Sequence, residues 1–390
     1  MALNLAPFGR WTLRDKTAQR RLALRYVAHH KDGFVKSSTG QHYLALDHLR
    51  ALAAFTVFAW HFSHAGNGYP VPFTWTPFAF PPFSILDEGH TGVALFMTLS
   101  GYLFAKLLGS KPINYWLFIY NRALRLLPLL ILVIAIVALL KIREGSLLPY
   151  LKSIIAGALL PTLPNGGWSI TVEFHFYLAL PILLYLARRS IGYLFVIICT
   201  AIAFRFFYYN FNGSVQHLAY WTIVGRIDQF VLGMLSAYIF PSLPKKGPLA
   251  LIGATCLFAF YTWFDAAGGF YEMPAYPSPS AIWVILPTIE AFSYAVIIGW
   301  YDHFQRSSSL ISRTVGKIGD YSYSIYLLHF FVVFRFADYI HTQLMDISNF
   351  YVALLWSLPA FGLVTLMAAF SYHVIELPFL KHRKNYVRAT

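Results

Sequence analysis

The sequence predicts an all-α polytopic membrane protein with about ten transmembrane helices and both termini cytoplasmic. Three observations carry that prediction. The 390 residues are 58% hydrophobic and only 12% charged, with a mean hydropathy of +0.56, far outside the range of soluble globular chains. Apolar runs long enough to cross about 30 Å of hydrocarbon as a helix recur at 44–64, 90–108, 125–141, 168–187, 190–208, 220–240, 248–265, 281–301, 321–341 and 351–377. Finally, the cations behind the net charge of +14 are one-sided. The segments 65–89, 209–219, 266–280 and 342–350 hold no Lys or Arg, whereas the alternate segments hold nearly all of them; only Lys141, Arg143 and Lys152 break the pattern. Such alternation is the positive-inside signature of topology, so the charge does not indicate nucleic acid, and no nucleic-acid partner is expected.

Residues 1–43 form a basic N-terminal extension, suited to the anionic cytoplasmic leaflet or simply to fixing orientation. No signal peptide is apparent ahead of the first span. That span holds Arg50 and His61. Eleven helical residues turn through about three full rotations and rise about 16 Å, so the two side chains share one face at different depths. Ionisable groups within spans cost several kcal/mol unless paired or hydrated, which makes each a functional candidate. Outside, 65–89 is rich in Pro and aromatics and should not be helical throughout. The second span, "TGVALFMTLSGYLFAKL", contains Ser100, Gly101 and Tyr102, where small residues permit close packing or approach of a ligand. Arg122 and Arg125, at i and i+3 just before span three, suit bidentate phosphate binding or positive-inside anchoring.

The apolar stretch 147–161 is too short to cross. Span four opens with Trp168 and Ser169 and carries Glu173, with Tyr177 one turn further on the same face. Span six has Arg226 and Asp228 in its outer half. Cys199 and Cys256 both lie inside spans, which predicts neither a disulfide nor a metal cluster. The aromatics of 266–280 could stack on sugar rings or belong to an interfacial belt. Ser322, Tyr326 and His329 fall on one stripe of span nine. Five spans thus carry polar groups into the bilayer, which a single water-accessible cavity would explain together. A basic tail, 381–390, follows the last span.

Arg50 with ten residues before His61, "LFMTLSGYL", "RALRLLP", "WSITVEFHFYL", "GRIDQFVLG", "GDYSYSIYLLH" and "SYHVIELPF" with its Glu376 form an ordered set over 44–380. That set resembles the acyltransferase-3 family of integral-membrane proteins, typified by bacterial O-antigen and exopolysaccharide O-acetyltransferases. The resemblance implies transfer of an acyl group, commonly acetyl, from a cytoplasmic acyl-CoA to a hydroxyl of a lipid-linked or cell-surface carbohydrate. It implies that His61 is the essential histidine, Arg50 its motif partner, and Arg122 with Arg125 the pair meeting the donor's phosphates. Acetyl-CoA is then a substrate, no cofactor is permanently bound, and the setting is the bacterial inner membrane. Two departures stand out: His48 where the family often has Gly, and Met97 where a second Phe is usual. Many relatives also append a soluble hydrolase-like domain, which is not expected after residue 380.

A neutral imidazole at His61 can take the acceptor hydroxyl's proton as general base, with Glu173 placed by depth to orient it. Direct transfer and an acyl-His intermediate both remain open. The rival reading is a transporter or flippase whose buried charges line a solute or proton path. "HTQLMD" (His341 to Asp346) matches a glycerolipid-acyltransferase pattern but straddles a helix end. The "NGS" sequon at Asn212 has meaning only in a eukaryotic secretory membrane.

Overall fold

The computed structural model describes residues 43–65, 83–109, 111–244, 246–305 and 309–387. Nearly all of the basic extension and most of the 65–89 loop lie outside the described residues. Among these residues the chain is helical, with no strand beyond one isolated bridge between Ile113 and Val387. The principal helices are α1 Leu44–Ser63, α2 Thr91–Leu108, α3 Tyr115–Arg143, α4 Leu147–Ala156, α5 Trp168–Arg189, α6 Gly192–Asn212 and α7 Ile223–Ile239. They continue with α8 Lys246–Ala266, α9 Leu286–Phe304, α10 Leu310–Asp320, α11 Ser322–Leu328, α12 Val333–Tyr339 and α13 Phe350–Ser371.

Every apolar run read from the sequence contains helix, yet among the described residues seven helices are long and apolar enough to cross a membrane. An eighth crossing results if the pair Ser322–Phe331 and Val333–Leu344, bent by 53°, is one span. α1 and α9 fall outside that set: α1 carries Asp47, His48, Arg50 and His61, and α9 carries Glu290, Asp302 and His303. These polar groups lower the mean hydropathy of both helices.

Two boundaries differ from the sequence reading. α3 begins at Tyr115, where the Asn114 side chain accepts the Leu117 N–H at 3.3 Å, an N-cap that starts the helix ten residues before the apolar run. Arg122 and Arg125 therefore sit within α3, not ahead of it. Span nine is broken: a 3-10 turn at His329–Phe331 separates α11 from α12, so the stripe of Ser322, Tyr326 and His329 ends at its last member.

The core forms around α2 and α7. Of α2's apolar window 78% is buried and of α7's 61%, against 22% for α3 and α6, whose outer faces are left for lipid. α2 and α7 cross closely because each presents a glycine to the other's backbone: Gly101 lies against the Phe230 carbonyl and Gly233 against the Thr98 carbonyl. A Cβ at either position would occupy the space of the opposing backbone, so these glycines are packing elements. α10 packs on the start of α1 through Gly319, which abuts the Asp47 carbonyl. His48 joins this corner, with Nδ1 2.8 Å from the Tyr301 hydroxyl and Nε2 2.7 Å from the Ser312 carbonyl. The departure from glycine at 48 is thus an interhelical tie.

Two polar networks hold the bundle's interior. Arg205, fully buried on α6, donates to Asp228 (2.7 Å), to the Val284 and Gly225 carbonyls (2.7 and 2.6 Å) and to Thr288 (2.8 Å). Arg226 donates to the Tyr220 carbonyl (2.6 Å) and to Gln229 (2.9 Å); Gln229 donates to Glu290 (2.9 Å), as does Tyr261 (2.6 Å). Removing one member of a buried pair leaves an uncompensated charge, a loss of about 3–5 kcal/mol. Arg205→Met is accordingly expected to lower the thermal midpoint in detergent sharply. The double variant Arg205→Met with Asp228→Leu should recover much of that loss, as scanning calorimetry or fluorescence melting would read.

Candidate active site

Two cavities lie on either side of Val93 and Tyr326, which line both. The one beside the N-terminal half of α1, termed inner for that place, is cationic. Arg50 of α1, Arg122 and Arg125 of α3 and Glu173 of α5 line it together with Ser100, Ser169, Tyr177, Ser322 and Tyr326. Three guanidinium groups thus face one carboxylate. The Arg122 plane stands over the Phe104 and Phe118 rings, 5.2 and 5.5 Å from their centres, and its buried Nε has no hydrogen-bond partner among the described residues. Arg50 is paired with Asp47 one turn earlier on α1. Glu173 accepts a hydrogen bond from Tyr177, its neighbour at i+4 on α5.

The outer cavity, of about 410 Å³, is aromatic. His61 lines it with Trp60, Trp168, Tyr220, Phe270 and Tyr271 among others. The His61 ring lies 5.2 Å from that of His329 and 4.8 Å from that of Phe330. Within His329, Nδ1 is 3.0 Å from the Ile325 carbonyl; a carbonyl only accepts, so Nδ1 carries the proton. Nε2 is then a lone pair, with no partner among the described residues. Tyr326 is fixed between the cavities: its hydroxyl donates to the Gly166 carbonyl and accepts from Ser169, both at 2.8 Å.

The sequence-derived candidates therefore divide. Arg50, Ser100, Arg122, Arg125, Glu173, Ser322 and Tyr326 converge on the inner cavity, and His61 and Trp168 on the outer. Glu173 and His61 line different cavities, and the imidazole set beside His61 is His329, the last member of the α11 stripe. Besides His329, which packs on His61 without lining either cavity, three candidates line neither. Arg226 belongs to the buried network above, beneath the Tyr220 ring at 4.4 Å. Tyr102 donates to Asp302 at 2.6 Å, with Lys106 on the same carboxylate. Glu376 accepts from Ser324 and acts electrostatically on Arg125. His341 pairs with Asp346 at 3.2 Å on the surface, apart from both cavities.

The outer wall formed by Phe270, Tyr271 and Tyr276 was legible only as a loop rich in aromatics. Its positioning depends on Glu88, which the sequence did not single out. Gly268 and Gly269, at φ +106° and +58°, turn the chain back over the Glu88 carboxyl. That carboxyl accepts the Phe270 N–H at 3.2 and 3.3 Å, and Gln216 donates to the Phe270 carbonyl at 2.9 Å. Tyr271 then stacks on Trp60, 5.9 Å away and within 11° of parallel. Burial, with the charges of Asp87 and Asp265 adding to it, holds the Glu88 carboxyl well above the usual carboxylate range. Glutamine mimics a protonated acid that still accepts the Phe270 N–H. Glu88→Gln should leave hydrogen exchange of 268–276 near wild type. Glu88→Ala, which removes a bond worth about 1 kcal/mol, should speed it about fivefold by mass spectrometry.

The chain matches the family described as an acyltransferase domain over residues 43–374. A protein of Staphylococcus aureus (strain COL) named "Putative O-acetyltransferase" is 24% identical over 407 aligned residues, covering 90% of this chain and 59% of that protein. A protein of strain N315 with the same designation matches to the same extent. Nodulation protein 10 of Rhizobium leguminosarum bv. viciae is 28% identical over 385 residues, covering 87% of this chain and 94% of the relative. The chain spans about three fifths of the length of the staphylococcal relatives. No solved structure matches it. With the family match running through all the helices that build both cavities, the chain belongs to the acyltransferase-3 family of membrane proteins.

Proposed function

We propose that this protein transfers an acyl group, acetyl in the simplest case, from a cytoplasmic acyl-CoA to a hydroxyl of a cell-surface or lipid-linked carbohydrate. The observation that carries this reading is the division of α1: Arg50 lines a cationic cavity and His61 an aromatic one, with Tyr326 and Val93 bordering both. In this reading the chain crosses a bacterial inner membrane ten times with both termini cytoplasmic, as the distribution of Lys and Arg favours. The donor's phosphates meet Arg122 and Arg125, whose planar guanidinium groups suit bidentate phosphate contacts, while Arg50 holds the donor nearer the junction.

The acceptor enters the outer cavity. A ring nitrogen of neutral His61 takes the hydroxyl proton as the acceptor oxygen attacks the thioester carbonyl. The tetrahedral intermediate collapses by breaking the C–S bond, and the leaving thiolate receives the proton from the His61 imidazolium. The products are the sugar ester and free coenzyme A. Burial of His61 among aromatic rings excludes water that would otherwise hydrolyse the thioester.

His61→Ala is expected to abolish ester formation while the amount of protein in the membrane stays unchanged; retained transfer in that variant overturns the assignment. Arg125→Ala should raise the KM for acetyl-CoA about tenfold, equivalent to about 1.4 kcal/mol, and leave the acceptor KM unaltered. Release of coenzyme A thiol by the purified protein, followed with a thiol reagent, measures both. A transporter would consume no thioester.

A further inference from the structure

The lining of the outer cavity restricts its occupant further. Among the described residues that line it, none is Asp, Glu, Lys or Arg, and His61 is the one imidazole. Nearby charges are withdrawn behind rings and already engaged. Arg226, 1% exposed, lies under Tyr220 and bonds Gln229 and a carbonyl. Glu88 lies behind Phe270 and is taken by that residue's N–H. A carboxylate, sulfate or phosphate entering here would lose its hydration and gain no counter-charge.

The cavity is nevertheless not merely apolar. The Trp60 indole N–H is buried, with 5% of the residue exposed, and has no hydrogen-bond partner among the described residues. Trp60 stands beside His61, their ring centres 4.7 Å apart. A buried donor without an acceptor is costly, and an oxygen of a bound ligand would relieve it. Flat ring faces from Trp60, Trp168, Tyr220 and Tyr271, together with that N–H, match a molecule with apolar C–H faces and a rim of hydroxyls. An alkyl chain would fill the space yet leave the N–H unpaired.

We propose that the outer cavity is a stacking subsite for an uncharged sugar ring and that it discriminates against acceptors bearing an anionic group on that ring. This rests on the acyltransferase reading above. The Trp60 N–H binds a ring or hydroxyl oxygen and presents a neighbouring hydroxyl to His61.

The test uses the full chain in detergent with acetyl-CoA. Matched methyl glycosides and methyl uronosides of gluco, galacto and manno configuration serve as acceptors beside dodecanol. Ester is detected by mass spectrometry and thiol release is followed in parallel. Esterification of at least one neutral glycoside is expected, with its uronic counterpart at least about tenfold poorer in kcat/KM. Trp60→Phe keeps a ring and removes the N–H; it should raise the KM for that glycoside several-fold and leave the acetyl-CoA KM unchanged. Tyr276, 43% exposed and part of the lining, offers the converse: Tyr276→Arg should improve use of the uronoside. Equal use of neutral and uronic acceptors, ester on dodecanol alone, or His61-dependent thiol release with no sugar ester overturns the subsite. Absence of thiol release with every acceptor overturns the acyltransferase reading itself.

Discussion

A charged or strongly polar side chain inside a membrane-embedded bundle must be paired or hydrated, and this requirement sorts the polar residues of the chain into two populations. Arg205 with Asp228, and Arg226 with Gln229, Glu290 and Tyr261, are buried and bonded to one another. They tie α6, α7, α8 and α9 together, with one oxygen of Asp228 left without a partner among the described residues. His329 and Trp60 are buried and Arg122 is half-buried, and each keeps a buried nitrogen without a partner among the described residues. Those nitrogens cluster around the two cavities, where a ligand or water can complete them. Burial alone therefore does not distinguish a structural polar group from a ligand-facing one; position beside a cavity together with an unused hydrogen-bonding atom does.

The geometry that separates the cavities depends on close backbone packing. The glycines at 101 and 233 let α2 and α7 cross tightly, and the residues beside that crossing, Ser100, Phe104 and Phe230, form part of the inner lining. α1 runs along both chambers, so a single rigid helix sets the distance between Arg50 and His61. On the outer side the wall is less regular. It is a loop turned by two glycines and pinned at one N–H by Glu88, and its aromatic rings reach the cavity only in that conformation. A helix-built cavity beside a partly loop-built one is an arrangement in which the lining of the second can change without altering the helices of the first.

Much of the candidate site was legible along the chain because helical periodicity is local. Arg50 and His61, or Arg122 and Arg125, share faces by counting residues, and Ser322 with Tyr326 follow the same rule. The relation between Glu173 and His61 was not legible: similar depth in two different helices says nothing about which cavity each side chain enters. The pairing of His329 with His61 was not legible either, because it joins two helices far apart in the chain. Glu88 and Phe270 are 182 residues apart, and no local pattern links them.

The sequence by itself determined that this chain is helical and membrane-embedded, which family it resembles, and which helices carry chemistry, because hydropathy and helical spacing depend on residues close in the chain. The tertiary structure alone decided how those groups divide. It made Arg226, Asp228, Tyr102 and Glu376 members of bonded networks, placed Glu173 with the arginines and His329 beside His61, and enclosed His61 in an uncharged aromatic chamber. Each of these outcomes depends on which helices touch, and contact between distant segments is governed by glycine crossings, helix breaks and buried hydrogen bonds that no single stretch of sequence contains.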